Sequence, residues 1–196
     1  NYGVDPGIGI HPPLSCLCAL MSPTKVYESM YTDPELLTRV LDKMYDVYVR
    51  YHDYALRARG NPLTGIGFGL ADDNISQISR AMFARFQMPY YLKFRERYQV
   101  TTFSLHTDGP NDQHFKLLAD TVKIDHMDIG GFSTIEAAVR DMKGKVYIHG
   151  GLNGKDFYTR GGLSDTARRR ALAAIKLAAP GGGFELAIGG ETYIMV

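Results

Sequence analysis

Cysteine is scarce in this sequence. Only Cys16 and Cys18 occur in 196 residues, and a single intervening residue leaves them too close, in too extended a setting, for an easy mutual disulfide. A disulfide scaffold is excluded and a reducing compartment is expected. A C-x-C pair with no third cysteine is also a poor soft-metal motif, so both thiols are expected in the core. Charge of one sign is equally scarce: 22 Lys and Arg against 21 Asp and Glu leave a formal net charge of +1. Nucleic-acid affinity needs a clustered excess of cations, so that class of partner is excluded. No apolar run approaches the roughly 18 residues of a membrane span, and no basic stretch precedes an apolar one at the amino end. Together these absences point to a soluble, cytoplasmic protein with no membrane partner. The chain also starts at Asn1 without methionine and stops at Val196 just after a strand-like run, as a piece of a longer protein would.

What is present is a repeated plan. With 45% hydrophobic and 22% charged residues, the chain can build one globular domain with a real core. The pattern is clearest in residues 101–110, TTFSLHTDGP, where a β-prone run ends on His106 and Asp108 before Gly109 and Pro110 turn the chain. Strands are expected at 63–70, 101–105, 122–129, 145–149 and 184–188, each running into a cluster of Gly, His or Asp and then an amphipathic helix. This is the plan by which parallel α/β folds collect a site at strand C-termini. Residues 1–22 read as a Gly- and Pro-rich loop leading into a short buried helix, with His11 a loop residue. Thr32 and Glu35 have capping-box spacing and open a long helix to about Ala58, whose buried stripe is expected at Leu36, Val40, Met44, Val47, Tyr51 and Tyr54 or Ala55. That stripe serves either the core or a subunit contact. Ser79 caps a helix that Pro89 should kink or split. Phe115, Leu118 and Ala119 face inward from a short helix at 112–121. Ser133 caps the helix to Met142, and a last helix after Ser164 is expected to bury Leu172, Ile175 and Ala179, leaving Arg168, Arg169 and Arg170 on a solvated face.

The strand ends supply the candidate chemistry. Asp72 and Asp73 follow the first strand, and neighbouring carboxylates can share a proton or hold an amine or metal. Alternation in the third strand puts Asp125 and Met127 on one face and His126 and Asp128 on the other, without saying which faces a pocket. His149 ends the fourth strand.

In order, ADDNIS, MFARFQMPYYLKF, the HTDG turn, IDHMDIGG, IHGGLNG and GGGFELAIGGET resemble the C-terminal two-thirds of the uroporphyrinogen decarboxylase superfamily, over residues 32–192 and extending to 1–21. The resemblance implies a (β/α)8 TIM barrel, of which residues 1–196 hold about the C-terminal five βα units. The first three strands would precede the chain and a final helix would follow it. It also implies a homodimer and one of two chemistries. One is a cofactor-free lyase that decarboxylates a tetrapyrrole-like small-molecule substrate. The other is methyl transfer that uses zinc and a corrinoid protein.

Signature residues of both branches are replaced. His106 is similar to the His of the methyltransferases' H-x-C-G turn, but Asp108 stands in the cysteine's place, and a later cysteine would fall near Gly190. Asp108-Gly109 is similar to the D-G turn of the decarboxylases, whose late histidine is replaced at Gly190-Glu191. Their essential aspartate and substrate-binding arginines belong to a region before this chain. The leading expectation is the lyase, with Asp72, Asp73 and Asp108 holding a cationic intermediate and His106 relaying a proton. Asn74, Asp128, His149, Asn153 and Glu191 are then expected to meet the substrate. Methyl transfer is the first alternative, with metal on His106, Asp108 and either Glu191 or His149. A barrel that binds without turnover is the second, and a metal-dependent hydrolase, for which an H-x-H pair is lacking, is the weakest.

Overall fold

The computed structural model describes residues 11–157 and 165–189. Three helices open it: α1 (Pro13–Leu20), α2 (Pro23–Thr32) and α3 (Pro34–Ala58). Each begins with proline in its first turn, where the missing N–H would have had no intrahelical partner. The cap of α3 differs from expectation. Asp33 takes that place, its carboxylate accepting from the Leu36 N–H at 3.0 Å. Thr32 is already the last residue of α2, and its hydroxyl donates back to the Glu28 carbonyl at 3.1 Å.

The inner face of α3 agrees with the expected one at Val40, which packs on the core, and at buried Ala55, and is otherwise rotated. Leu37, Leu41, Val49, His52, Ala55 and Leu56 are buried, whereas Leu36, Val47, Tyr51 and Tyr54 are 46%, 55%, 50% and 67% exposed. Both sets recur at helical spacing, and a period carries no phase. Tyr45 and Tyr48 sit at the edge of the inner face against Phe94.

Five strands follow: β1 (Gly67–Ala71), β2 (Thr102–His106), β3 (His126–Asp128), β4 (Tyr147–Asn153) and β5 (Phe184–Gly189). They form one parallel sheet in sequential order. Between them lie α4 (Arg80–Phe86), α5 (Met88–Tyr98), α6 (Phe115–Leu117), α7 (Ile135–Met142) and α8 (Asp165–Ala178). Sequential parallel strands with intervening helices make an arc of a (β/α)8 barrel, here five strands with four helical connections among the described residues. As expected, Ser79 caps α4 by accepting from the Met82 N–H, and the Pro89 region splits α4 from α5 at Gln87. β1 starts later than expected because Gly65, at φ +70°, turns the chain first. β3 is shorter because residues 118–122 continue the helical segment as a π turn that ends on left-handed Lys123.

Thr134, not Ser133, caps α7. Ser133 instead accepts from the Asn111 N–H and donates to the Gly109 carbonyl. On α8 the buried residues are Ala167, Ala174 and Ala178, while Leu172 and Ile175 are 59% and 43% exposed and Ala179 also faces outward. The small side chains let α8 approach β4 closely: a Cβ built on Gly151 would lie 3.4 Å from that of Ala174. The Arg168–Arg170 run is exposed, as expected.

Alternation along the strands divides the sheet. Phe68, Leu70, Phe103, Leu105, Met127 and Ile148 enter the core under the helices. The other face carries Gly67, Gly69, Ser104, His126, Tyr147 and Glu185 and is open among the described residues. It therefore holds the sheet's polar chemistry.

Candidate functional site

Pairing register, not sequence proximity, assembles the site. Ala71, His106, Asp128, His149 and Glu185 are successive Cα partners across five strands, so alternation sends His106, Asp128 and His149 to the open face in one row. Of the two faces left open for β3, His126 and Asp128 take this one. Met127 is buried, and Asp125 accepts the Phe103 N–H at 2.8 Å. His126 stacks on Tyr147 and His149 at centroid distances of 5.4 and 5.9 Å.

His106 is the centre of the row. Its Nδ1 meets Asp128 Oδ2 at 2.8 Å, and its Nε2 lies 3.4 Å from Asp108 Oδ1. The hydrogen bond to Asp128 outweighs burial and, with the nearby carboxylates of Asp128, Asp108 and Asp73, pushes the imidazole up to about 9. Burial acts on Asp128 in the opposite sense, but the bonds from His106 and the Gly130 N–H hold its carboxyl below the usual range. Asp108 is raised, first by burial, with the Asp73 charge adding to it against the pull of His106. Its Oδ1 is buried and accepts no hydrogen bond. Asp73, in the first turn after β1, accepts the Asp108 N–H at 2.8 Å. One ligand atom from each of Asp73, His106 and Asp108 lies within 4.8 Å of the other two.

The turn after β3 fits closely against this cluster. Gly130 has φ +64°, and a Cβ there would come within 2.2 Å of the Thr107 carbonyl and 3.0 Å of the Asp108 Cα. Only glycine combines that conformation with that clearance.

The other expected residues have different settings. Asp72 is 0% exposed and faces away from the cluster. Its carboxylate accepts from Ser15 Oγ and Tyr91 OH, both at 2.5 Å, and from Gln87 Nε2, and burial raises its pKa. The sequence suggests a catalytic carboxylate holding the cationic intermediate, whereas the Asp72 side chain is an internal anchor. Asn74 joins that network, donating to Ser15 and accepting from Tyr27. Asn153 is buried and committed to the backbone, donating to the Gly131 carbonyl at 2.6 Å and accepting the Lys155 N–H at 3.0 Å. It borders a cavity of about 350 Å³ between α7 and α8, whose lining includes Phe132, Lys155 and Arg170 but no residue of the cluster. His149 reaches Asp128 Oδ2 at 3.5 Å. Glu191 lies outside the described residues. Cys16 donates to the His11 carbonyl and Cys18 is buried, so among the described residues no thiol joins the cluster. Sequence reading missed Ser15, Gln87 and Tyr91, which come from distant helices and belong to no local motif.

Chemically, the cluster presents one imidazole ringed by carboxylates. It can hold a cation, protonate a carbon or ligate a divalent metal, with Asp128 orienting the ring in each case.

The sequence matches the family described as uroporphyrinogen decarboxylase (URO-D) over residues 8–192. None of the curated proteins matches it. Among solved structures it is similar to a methyltransferase from Methanosarcina mazei, at TM-score 0.62 and 17% sequence identity, over 92% of this chain and 52% of that one. The chain thus spans about half the length of that structure, and at this identity the likeness is one of fold.

Proposed function

The chain belongs to the uroporphyrinogen decarboxylase family, and on that premise we propose that its strand-end cluster is the acid–base centre of a lyase that decarboxylates an acetate-bearing, tetrapyrrole-like substrate. The observation that carries this reading is the His106 imidazole, whose Nδ1 lies 2.8 Å from Asp128 Oδ2 and whose Nε2 faces Asp108. In such a reaction the bond between the side-chain carbon and its carboxyl breaks, CO2 leaves, and the electron pair passes into a protonated, cationic ring. The exocyclic carbon then takes a proton and the ring loses one, so that acetate becomes methyl. Asp73 and Asp108 supply negative charge beside the cationic intermediate, where a preorganised carboxylate is most effective. His106, pushed up to about 9, keeps its proton at neutral pH and is the proposed donor. The test is an anaerobic incubation of the full-length protein with uroporphyrinogen and chromatographic separation of the products. The reading expects stepwise loss of carboxylates and its abolition in His106→Gln; unchanged uroporphyrinogen would remove this substrate.

A second reading is favoured by the compactness of Asp73, His106 and Asp108 and by Asp108 Oδ1, which is buried and faces His106 Nε2 at 3.4 Å without accepting a hydrogen bond. One imidazole nitrogen and two carboxylates suit zinc or a harder divalent cation, and Asp128 is the outer carboxylate that metal-bound histidines commonly have. Such an ion would supply Lewis acidity for methyl transfer. The donor set has no thiolate, so it is poorer for activating a thiol than the sulfur-rich sites of the methyltransferases. The two readings exclude one another at a single atom. His106 Nε2 either carries the proton of an acid or offers a lone pair to a metal. Stoichiometric metal in the purified full-length protein, lost in Asp73→Asn, would favour the second reading. Absence of metal binding, with no methylation of thiols, would leave the first.

A further inference from the structure

Asp72 and Asp73 are adjacent in sequence and opposite in setting. Asp73 stands at the rim and holds the Asp108 N–H. Asp72 is fully buried and receives hydrogen bonds from Ser15 on α1, Gln87 at the α4–α5 junction and Tyr91 on α5. Its own N–H donates to the His106 carbonyl at 2.9 Å. The network extends through Ser15 to Asn74 and through Asn74 to Tyr27 on α2. One carboxylate thus ties α1, α5 and the α4–α5 junction to the end of β1, while its backbone N–H ties them to the last residue of β2. The two members of the cluster that those strand ends carry are Asp73 and His106. A buried carboxylate is costly, and a buried polar network replaced as a whole by well-packed apolar residues is often neutral or stabilising. Fold stability alone is therefore a weak account of it.

We propose that Asp72 is the positioning residue of the strand-end cluster, setting the separation of Asp73, His106 and Asp108 without touching substrate. The proposal rests on the cluster being the reactive centre but not on which reaction it performs. Asp72→Asn keeps the volume and turns an amide N–H toward groups that all donate. Its effect should reach the cluster through the 72–73 backbone. Tyr91→Phe removes one donor at little change in volume and should act in the same sense but more weakly. Asp53→Asn is the control: Asp53 is also a buried carboxylate, held by Arg97 and Tyr98 away from the cluster.

The experiment is NMR of the full-length protein, following the Asp108 amide proton and the His106 ring nitrogens, together with melting temperature. The expected result is an upfield shift of the Asp108 amide and a displaced His106 ring signal in Asp72→Asn, smaller shifts in Tyr91→Phe, and none in Asp53→Asn despite its lower melting temperature. Cluster signals that stay in place in both Asp72→Asn and Tyr91→Phe while stability falls would reduce Asp72 to a fold residue and overturn the proposal. If Asp72→Asn does not fold, Tyr91→Phe decides alone by the same signals. Once a turnover assay is in hand, Asp72→Asn should lower kcat by roughly 10- to 100-fold with KM little changed, the scale of a small misplacement of reacting groups. Combined with Asp73→Asn, it should add nothing to the loss from Asp73→Asn alone. Multiplying losses would mean a separate role for Asp72. Because the NMR comparison needs no substrate, failure of the decarboxylase reading and failure of this one are distinguishable.

Discussion

At the scale of single residues, the cluster is a balance between one imidazole and the carboxylates around it. His106 is pushed up to about 9, chiefly by its bond to Asp128, and this gives two measurable consequences. First, its NMR titration midpoint should lie near 9, and Asp128→Asn, which removes the charged acceptor, should bring it back toward about 6.5. A midpoint that stays high in Asp128→Asn would assign the shift to Asp108 and Asp73 instead. Second, the folded value lies above the unfolded one. Stability from this contact is therefore fully present below about pH 6.5 and is lost as pH rises through about 9. A lyase that uses His106 as its acid should lose kcat over the same alkaline limb, whereas a metal-bound Nε2 would show no such limb. Gly130 belongs to this scale too. Gly130→Ala combines a positive φ with a clash at the Thr107 carbonyl, so it should impair the cluster more than its small change in volume suggests.

At the scale of elements, α3 carries two apolar faces and one cap, and each can be tested by melting. Asp33→Ala should cost about 1 kcal/mol by exposing the first-turn N–H groups, and Thr32→Ala should change little. Leu41→Ala, at a fully buried position, should cost about 2–5 kcal/mol, and Val47→Ala, at an exposed one, less than about 0.5 kcal/mol. Equal losses would mean that the outer stripe is covered by something else. The same lesson holds on α8. Spacing identified the helix, but the close approach to Gly151 chose the alanines rather than Leu172 and Ile175 for the inner side.

At the scale of the whole molecule, two buried histidines tie stability to pH on the acid side. His114 packs on Phe83 and shares its Nε2 with the Ile75 carbonyl, and His52 lies among Tyr48, Phe68 and Tyr98. Burial lowers both. The folded chain therefore resists a proton that the unfolded chain accepts, so the contribution of these two residues should be level above about pH 6.5 and turn against the fold as pH drops below it. Substituting both by Gln should flatten that acid limb in melting experiments, although each variant will start from a lower stability. A limb of unchanged steepness would place acid sensitivity elsewhere.

Legible in the chain alone were the βα repeat, the approximate places of the five described strands, the split at Pro89, the cap at Ser79 and the family resemblance. The resemblance rests on the order of motifs over residues 32–192; the rest follow from neighbours within a few turns of chain, where periodicity and turn chemistry act. The sequence also nominated His106 and Asp108, because they stand at a strand end. Phase and partnership needed the folded molecule. Which face of α3 or α8 is buried depends on what approaches it, and the choice between Asp125 and His126 with Asp128 depends on which side the helices cover. The division of labour between Asp72 and Asp73 could not be read locally. It is made by Ser15, Gln87 and Tyr91, which lie far along the chain and come together only when parallel strands bring their ends to one rim.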